Sequence, residues 1–318
     1  MVADKKVVVV ALGGNAILQP GQRGTFEEQM QNVHISCEQL AKMVLSDAYE
    51  VVITHGNGPQ VGNILLQNEA AKDVAAPMPL FVCGAQTQGM IGFMIQQNLG
   101  KLLSEQGRTD IPVATVVTQV VVDPQDDAFQ NPSKPVGPFY EEQEAMRLKE
   151  DLGYHVREDA GRGWRRVVPS PDPIEIHEKN AIRQLVDARV LVVASGGGGI
   201  PVIKKNGVLI GVDAVIDKDL AGERLAVDVG ASVFMILTDV DEVKLHYNTP
   251  EEKGVTRMTV AEAKQYSADG HFAKGSMEPK VRAAVRFVEA GGEKAVITSL
   301  DKAFDALEGR AGTTIVGG

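Results

Sequence analysis

The feature of this sequence that most constrains its fold is a set of short runs in which apolar residues are continuous rather than alternating. Valine is prominent in these runs, which lie at 7–12, 51–54, 113–122, 190–194, 233–238 and 295–298. A strand that is apolar at every position is buried on both faces, as happens in a parallel sheet covered by helices. The runs therefore predict a mainly parallel central sheet, inside a core that a chain of 318 residues can bury without cross-links.

Segments with helical periodicity lie between the apolar runs. Residues 27–45 carry apolar side chains at steps of three and four, and another helix is predicted at 279–290. Pro279 suits the first turn of this later helix, and the glycines at 291 and 292 suit its end. Strands that alternate with helices predict an α/β fold, specifically a three-layer αβα sandwich.

The region 123–171 interrupts this alternation. It is rich in proline, glycine, aspartate and arginine, and it holds one helical patch at 141–152. It is too short and too poor in apolar residues to form an independent core. We therefore predict a single domain over 1–318, with 123–171 inserted into it as a small protruding subdomain.

Charge and cysteine content narrow the classes of function. The net charge of −10 disfavours non-specific binding to nucleic acid or to an anionic membrane. A basic and aromatic cluster at 162–166 could bind nucleic acid, but salt bridges within the subdomain are the preferred interpretation. Cys37 and Cys83 do not make a disulfide framework, so a cytoplasmic location is expected. No apolar stretch reaches the ~20 residues of a membrane span, and the run at 7–12 is interpreted as a first strand rather than a signal peptide.

Three glycine-rich segments each follow a predicted strand. They are Gly13-Gly14-Asn15, His55-Gly56-Asn57 and Ser195-Gly196-Gly197. Ligands bind beyond the carboxyl ends of the strands in open parallel sheets, and glycine lets backbone N–H groups approach a phosphate. Three tight turns without a ligand are the alternative, and His55 has either a substrate contact or a structural role in its turn. Together the loops indicate an anion site, with Ser195, Gly196 and Gly197 among its candidate contacts.

Two familiar phosphate-binding motifs are missing from the sequence. It has neither a G-x-x-x-x-G-K-[ST] loop nor a G-x-G-x-x-G motif after the first predicted strand. A P-loop NTPase is therefore disfavoured, and a dinucleotide-dependent dehydrogenase is only an outside alternative.

Two lysines are candidates for the positive charge that phosphoryl transfer requires. Lys218 lies between Asp217 and Asp219 where a helix is predicted to start, and Lys280 follows Pro279 at the start of another. Phosphoryl transfer proceeds by positioning and electrostatics, without a covalent intermediate or a strong base. The alternative for each lysine is a solvated surface charge, and the aspartates could equally be helix caps.

The sequence resembles the amino-acid kinase family and, within it, the carbamate kinases. The segments that carry the resemblance are ALGGNA at 11–16, THGNGPQVG at 54–62, KPVGPFY at 134–140, VIDKDLA at 215–221, LTDV at 237–240 and GSMEPK at 275–280. They run in the family's order and extend over nearly the whole chain. The segments at 134–140 and 217–219 are specific to carbamate kinases.

The resemblance implies roles for individual residues. Catalytic roles fall to Lys218, Lys280, Asp219 and Lys134. Contacts to the phosphoryl group or the carbamate fall to Gly13, Gly14, Asn15, Gly56 and Asn57. Contacts on the nucleotide side fall to Asp217, Thr238, Asp239 and Met277. The implied reaction is reversible phosphoryl transfer between carbamoyl phosphate and ADP, giving ATP and carbamate, usually run towards ATP as the last step of fermentative arginine breakdown.

The resemblance also implies Mg²⁺ on the nucleotide phosphates without direct protein ligands, a lid role for the inserted subdomain, and a homodimer. One departure is visible, since Glu278 stands where the family commonly has glycine. Its carboxylate is expected to point to solvent, and the alternative is that it pairs with Lys280 and weakens phosphate binding. Two other functions stay open: a nucleotide-binding regulatory protein of the same fold, and a kinase of another small carboxylate.

Overall fold

The computed structural model describes residues 5–159 and 161–318. Its strands, in chain order, are β1 (Lys6–Leu12), β2 (Tyr49–His55), β3 (Val113–Val116), β4 (Gln119–Val122), β5 (Lys134–Tyr140), β6 (His155–Glu158), β7 (Trp164–Val168), β8 (Pro173–Ile176), β9 (Leu191–Ala194), β10 (Ile200–Lys205), β11 (Val208–Gly211), β12 (Val233–Thr238), β13 (Val243–Leu245), β14 (Lys253–Val255), β15 (Arg257–Thr259), β16 (Lys294–Ser299) and β17 (Thr313–Val316). Its α-helices are α1 (Phe26–Leu45), α2 (Gly58–Ala71), α3 (Leu80–Glu105), α4 (Glu142–Leu152), α5 (Lys179–Asp187), α6 (Lys218–Asp228), α7 (Val260–Ala268), α8 (Met277–Glu289) and α9 (Ala303–Leu307).

The main sheet has eight strands in the order β15-β17-β16-β12-β1-β2-β9-β3. Neighbouring strands are parallel except for β16 and β17, which are antiparallel. The mainly parallel sheet expected from the continuous apolar runs is therefore confirmed.

The core lies on both faces of this sheet. In β1, Val9 and Ala11 belong to an apolar cluster with side chains of α5, α6 and α8, whereas Val8 and Val10 belong to a second cluster with α1, α3 and α9. Successive side chains of a strand point to opposite faces, so each face of β1 needs its own apolar residues. This explains why the run has no polar alternation, and it confirms the three-layer αβα sandwich.

The single strand expected at 113–122 is wrong. Its first half, β3, pairs with β9 at the edge of the main sheet, whereas its second half, β4, joins a separate four-stranded sheet in the order β11-β10-β4-β8. The chain changes sheets at Thr118, whose backbone N–H donates to Gln88 Oε1 at 2.8 Å and whose carbonyl accepts from Gln88 Nε2 at 3.1 Å. A side chain of α3 thus bonds both backbone groups of the residue at which the chain changes sheets, and the same carbonyl also accepts from the Ile200 N–H of β10 at 2.9 Å.

The inserted region leaves the four-stranded sheet after β4 and returns at β8, and these two strands pair antiparallel. Between them lie α4 and a three-stranded sheet in the order β5-β7-β6. Val136 and Val168 of this sheet share an apolar cluster with Val61, Leu80 and Cys83 of α2 and α3. The region therefore shares apolar contacts with the main body.

The basic cluster of the inserted region is held by acidic and aromatic partners. Arg162 and Arg165 both pair with Asp159, at 2.9 and 3.4 Å. Arg166 pairs at 3.2 Å with Asp213, which lies outside 123–171. The expectation of salt bridges is confirmed for the first two arginines, whereas the third ties the region to the main body.

Two global features concern the cysteines and the helices. Cys37 and Cys83 are free thiols, and both are buried. Burial raises the pKa of the Cys37 thiol to about 12. Among the described residues, no helix is both long and apolar enough to span a membrane.

The sheet topology brings the predicted loops together. Strands β12, β1, β2 and β9 are adjacent and mutually parallel, so their carboxyl ends share one edge of the sheet. The segments that follow them start at Asp239, Gly13, Gly56 and Ser195. Ligand sites of open parallel sheets lie at this edge.

Candidate active site

A cleft of about 300 Å³ lies at the carboxyl edge of the main sheet. The predicted site residues that line it are Gly14, Gly56, Asn57, Lys134, Gly197, Asp217, Lys218, Asp219 and Lys280. They come from three glycine loops, the start of α6, the first half of α8 and the inserted region. Gly14 and Lys280, which are 266 positions apart in the sequence, thus line the same cleft.

The centre of the cleft is a carboxylate held between two ammonium groups. Asp219 Oδ1 lies 2.6 Å from Lys218 Nζ, and Asp219 Oδ2 lies 3.3 Å from Lys280 Nζ. The Asp219 side chain is 4 % exposed, so its charge is screened little by water. Because one buried carboxylate binds both lysines, it fixes the separation of two positive charges that come from different helices.

A third lysine reaches the cleft from the inserted region. Lys134 Nζ lies 3.1 Å from Asp217 Oδ2, while Asp217 Oδ1 accepts a hydrogen bond of 2.9 Å from the backbone N–H of Asp219. Asp217 is therefore the N-cap of α6. Burial pushes the pKa of Asp217 upward, but the charge and hydrogen bond of Lys134 and the bond from Asp219 outweigh it, so the pKa is lowered. The group stays ionised and keeps Lys134 over the cleft.

The first two glycine loops lie beside Lys218. A β carbon at Gly56 would lie 3.3 Å from Lys218 Cδ and 3.5 Å from the backbone nitrogen of Gly14. A β carbon at Gly13 would lie 3.0 Å from the carbonyl oxygen of Leu237. A side chain at Gly56 would fill the space between the Gly14 backbone and the stem of Lys218, whereas one at Gly13 would press on the end of β12. The Gly14 backbone and the aliphatic stem of Lys218 therefore both lie close to Gly56 and line the same cleft. Backbone N–H groups and a lysine that face one cleft are an arrangement that binds anions.

The third glycine loop has a different place. Ser195 and Gly196 are buried behind the cleft, and Gly197 is the residue of the three that lines it. A β carbon at Gly197 would lie 2.1 Å from Asn57 Nδ2, and one at Gly196 would lie 2.3 Å from His55 Nε2. These glycines are required by close packing against the second loop. Ligand contacts for Ser195 and Gly196 stay a prediction.

His55 has a structural position in its turn. It is fully buried, and its Nδ1 lies 2.9 Å from the carbonyl oxygen of Gly56. Burial lowers the pKa of His55 from 6.5 to about 4, against a smaller opposing effect of the Gly56 hydrogen bond. The imidazole is therefore neutral at physiological pH, and its Nδ1 donates to Gly56.

The neutrality of His55 predicts a loss of stability in mild acid. Between pH 6.5 and 4 the unfolded chain binds a proton that the folded protein does not, so stability falls as the pH drops through this window. The expected loss by pH 5 is about 2 kcal/mol from this group. Thermal unfolding at pH 7 and pH 5 measures it. The drop should shrink in His55→Gln and persist in His177→Gln, an exposed control; equal drops in all three proteins would contradict the assignment.

The residues predicted for the nucleotide side are divided among three spaces. Thr238 and Asp239 line a neighbouring cleft of about 240 Å³ together with Gly13 and Asn15. Asn15 Nδ2 donates to Asp239 Oδ2 at 2.8 Å, so the first glycine loop is tied to the end of β12. Met277 lines a third cavity, of about 110 Å³. Asp217 lies in the lysine cleft because it pairs with Lys134.

Glu278 lies in the first turn of α8 and is half-buried. The ammonium of Lys280 contacts Asp219 and the carbonyl oxygen of Ser276, at 3.3 and 3.2 Å. Within 5–159 and 161–318, no ion pair joins Glu278 to Lys280. The neighbouring carboxylate therefore leaves Lys280 directed at the cleft.

Some residues of the site had no role assigned from the sequence. The cleft is also lined by Pro59, Val215, Ile216, Gly275, Ser276 and Pro279. All of them lie within motif segments, so their position in those segments was an available signal. Thr87 is different, because its Oγ1 accepts from Asn57 Nδ2 at 2.7 Å and holds that amide from α3. No local pattern links two residues 30 positions apart.

The carboxylates of the cleft are poorly suited to hold a metal ion by themselves. Asp217 and Asp219 are both engaged by lysines. In the part of the chain that the structure describes, no group of three or more His, Cys, Asp or Glu side chains could hold a metal. A divalent cation in this cleft would need other ligands, such as the oxygens of a bound polyphosphate.

Comparisons with known proteins find similar chains over almost the full length of this one. A model of the amino acid kinase family matches residues 6–299. A carbamate kinase of Thermococcus kodakarensis is 59% identical over 313 residues, which cover 98% of this chain and 99% of that protein. A carbamate kinase of Pyrococcus horikoshii is 53% identical, with 97% and 98% covered. The solved structure of a carbamate kinase from Giardia lamblia bound to AMP-PNP superposes with a TM-score of 0.94 at 49% identity, covering 99% of each chain.

Proposed function

Because this chain belongs to the amino acid kinase family and is a kinase of its carbamate kinase branch, we propose that it moves a phosphoryl group reversibly between carbamoyl phosphate and ADP. In the direction of ATP synthesis, the bond between phosphorus and the carbamate oxygen breaks, and a bond to a β-phosphate oxygen of ADP forms. The observation that carries this proposal is the convergence of Lys218, Lys280 and the Gly14 amide on one cleft.

The geometry supports a transfer that runs by electrostatics and positioning. A loose transition state spreads negative charge over the equatorial oxygens of the moving group and over the two oxygens in line with it. In our proposal Lys218 and Lys280 neutralise that charge, and the N–H groups of Gly13 and Gly14 with the Asn15 amide bind the phosphoryl oxygens. Asp219 keeps both lysines in place before the substrate arrives.

The carbamate end of the substrate is assigned to the second glycine loop and the inserted region. Asn57 is positioned by Thr87, and Lys134 is positioned by Asp217. We propose that 123–171 acts as a lid that carries Lys134 over the bound substrate. A lid has a chemical purpose here, because carbamate and carbamoyl phosphate decompose in water.

The nucleotide side is assigned to the space beyond the first glycine loop. Thr238, Asp239 and Met277 border the two cavities next to the lysine cleft. The solved carbamate kinase from Giardia lamblia is bound to AMP-PNP, which supports nucleotide binding by this chain. Mg²⁺ would arrive on the nucleotide phosphates, since the carboxylates at 217 and 219 are paired with lysines, and it would offset phosphate charge there.

The experiment that tests this function is ATP formation from carbamoyl phosphate and ADP, followed with luciferase. Turnover that depends on Mg²⁺ is expected, with little turnover when acetyl phosphate replaces carbamoyl phosphate. Faster transfer from acetyl phosphate would favour a kinase of another small carboxylate. Tight ADP binding by calorimetry with no transfer from either donor would favour a regulatory nucleotide-binding protein.

The setting of the reaction is a further part of the proposal. The proposed direction is towards ATP, as the last step of fermentative arginine breakdown. This direction fits carbamoyl phosphate as the phosphoryl donor, because it decomposes in water and must be consumed as it forms. Two buried free thiols support a reducing compartment such as the cytoplasm.

We also propose a homodimer, on the basis of an apolar surface at the edge of the main sheet. β3 is the edge strand, and beside it Phe93 and Val117 are 51 and 49 % exposed, with Met90 of α3 exposed as well. Light scattering after gel filtration should give twice the chain mass of 34.0 kDa. Phe93→Asp should shift the protein towards the monomer mass, because it would bury a charge in the interface. A wild-type mass of 34.0 kDa would rule the dimer out.

A further inference from the structure

A chain of ionic contacts runs behind the lysine cleft and joins three parts of the fold. Arg286 of α8 places its Nε 3.3 Å from Glu223 Oε2 of α6. The NH1 group of Arg286 donates to Asp172 Oδ1 at 2.9 Å. The backbone N–H of Asp172 in turn donates to Asp126 Oδ2 at 2.9 Å. One guanidinium, carried by α8, therefore contacts α6 and the segment that follows the inserted region.

The position of these contacts links them to the site. Helix α6 begins at Lys218, and Lys280 lies in the first turns of α8. Glu223 follows Asp219 by four residues, so the two carboxylates lie one turn apart on the same side of α6. Asp219 with Lys280 makes one cross-link between the helices, and Glu223 with Arg286 makes the second. Two cross-links fix both the separation and the angle of a helix pair, which one alone cannot do.

The second contact of Arg286 reaches the base of the inserted region. Asp172 lies just before β8, and Asp126 lies just after β4, so the two mark the strands between which the insertion leaves and returns. Asp172 is exposed, and an exposed ion pair contributes little to stability. The contact can therefore break and re-form without a large change in the folding free energy.

The contact of Glu223 with Arg286 is not one that stabilises the folded protein efficiently. The carboxylate is 3 % exposed, and its Oε2 has no aligned hydrogen bond, although Arg286 lies close to it. Burial raises the pKa of Glu223, and Arg286 and Arg224 offset only part of that effect, with Asp172 and Asp228 adding to it. Well-packed apolar side chains usually serve stability as well as such a pair does. Apolar side chains in place of Glu223 and Arg286 would not, however, supply the positive charge that pairs with Asp172.

We propose that Arg286 is a positioning residue for phosphoryl transfer, tying the two lysine-bearing helices to each other and to the base of the inserted region. It does not line the cleft and acts through the placement of Lys218 and Lys280. A displacement of catalytic groups by about 1 Å from a remote change can cost up to ~100-fold in rate. This role rests on the transfer reaction proposed above.

The decisive variant is the double substitution Glu223→Met with Arg286→Met in the full-length protein. Arg286→Met alone leaves a buried carboxylate unpaired and is expected to lower the melting temperature. The double variant removes that charge and should recover a melting temperature close to wild type. Its kcat for ATP formation should nevertheless stay at least ~10-fold below wild type, with the KM for ADP within ~2-fold.

Three controls separate the possible outcomes. Arg282→Met removes an exposed arginine from the same helix and should keep the wild-type kcat. Asp172→Asn removes only the ion pair of Arg286 with Asp172 and should lower kcat without lowering the melting temperature, even if the double variant does not fold. A stable double variant with less than a ~10-fold loss of kcat, or an Asp172→Asn enzyme with wild-type kcat, would overturn the role of Arg286. A wild-type protein that forms no ATP would instead overturn the proposed function, and with it this role.

Discussion

Replacement of Lys218 by alanine is expected to lower kcat for ATP formation at least ~100-fold, the scale of losing one charge contact made in the transition state. The ammonium of Lys218 lies beside Asp219, and Lys218 and Gly14 line the same cleft, where the moving phosphoryl group would pass. Lys280→Ala should have an effect of the same size, because its ammonium lies on the other oxygen of the same carboxylate. Initial rates at saturating ADP and carbamoyl phosphate measure both losses.

A matched control makes this result specific. Lys205→Ala removes an exposed lysine from β10, away from the cleft, and should leave kcat unchanged. Lys218→Arg keeps the charge but presents a planar, wider group, so only part of the activity should return. Near-normal kcat in both Lys218→Ala and Lys280→Ala would remove the basis of the catalytic assignment.

Asp219→Asn is expected to lower kcat by a similar ~100-fold while the KM for ADP stays the same or falls. The amide keeps the shape of the side chain but gives up the charge that holds two ammonium groups at 2.6 and 3.3 Å. Freed of that charge, the lysines repel each other and leave the positions that the transition state requires. An anionic ligand, however, would meet more net positive charge in the cleft, which favours its binding.

The opposite kinetic pattern would point to another role for Asp219. A raised KM with an unchanged kcat would mean that the carboxylate contributes only to ground-state binding. Asp187→Asn, an exposed change at the end of α5, is the control for a general effect of removing a carboxylate. The melting temperature should be measured in parallel, so that a loss of folded protein is not read as a loss of kcat.

Much of the fold is predictable from local pattern. The run at 7–12 has no polar position because β1 is buried on both faces, and this signal needs no knowledge of the neighbouring strands. The break at Thr118 could not be predicted, because it depends on the side chain of Gln88, which lies 30 positions earlier on α3. Valine-rich sequence continues on both sides of the break, so apolar content alone predicts one strand where the structure has two.

The candidate site likewise has features that local sequence patterns predict and contacts that they do not. Glycine loops after strands and lysines at helix starts are local patterns, and the cleft contains members of both sets. Their mutual pairing is not local. The contact of Lys134 with Asp217 spans the inserted region, and that of Lys280 with Asp219 spans two helices and several strands. The contact of Arg286 with Glu223 could not be predicted from the sequence, because each residue alone resembles an ordinary charged residue on a helix surface.

The most direct test of the central claim is a crystal structure of the wild-type protein with ADP, Mg²⁺ and a planar phosphoryl mimic such as aluminium fluoride. We predict that the mimic lies within hydrogen-bonding distance, about 3 Å, of the Gly14 backbone nitrogen and of the ammonium groups of Lys218 and Lys280. A mimic bound elsewhere, with both ammonium groups more than about 6 Å from its oxygens, would contradict the claim that this cleft holds the phosphoryl group during transfer.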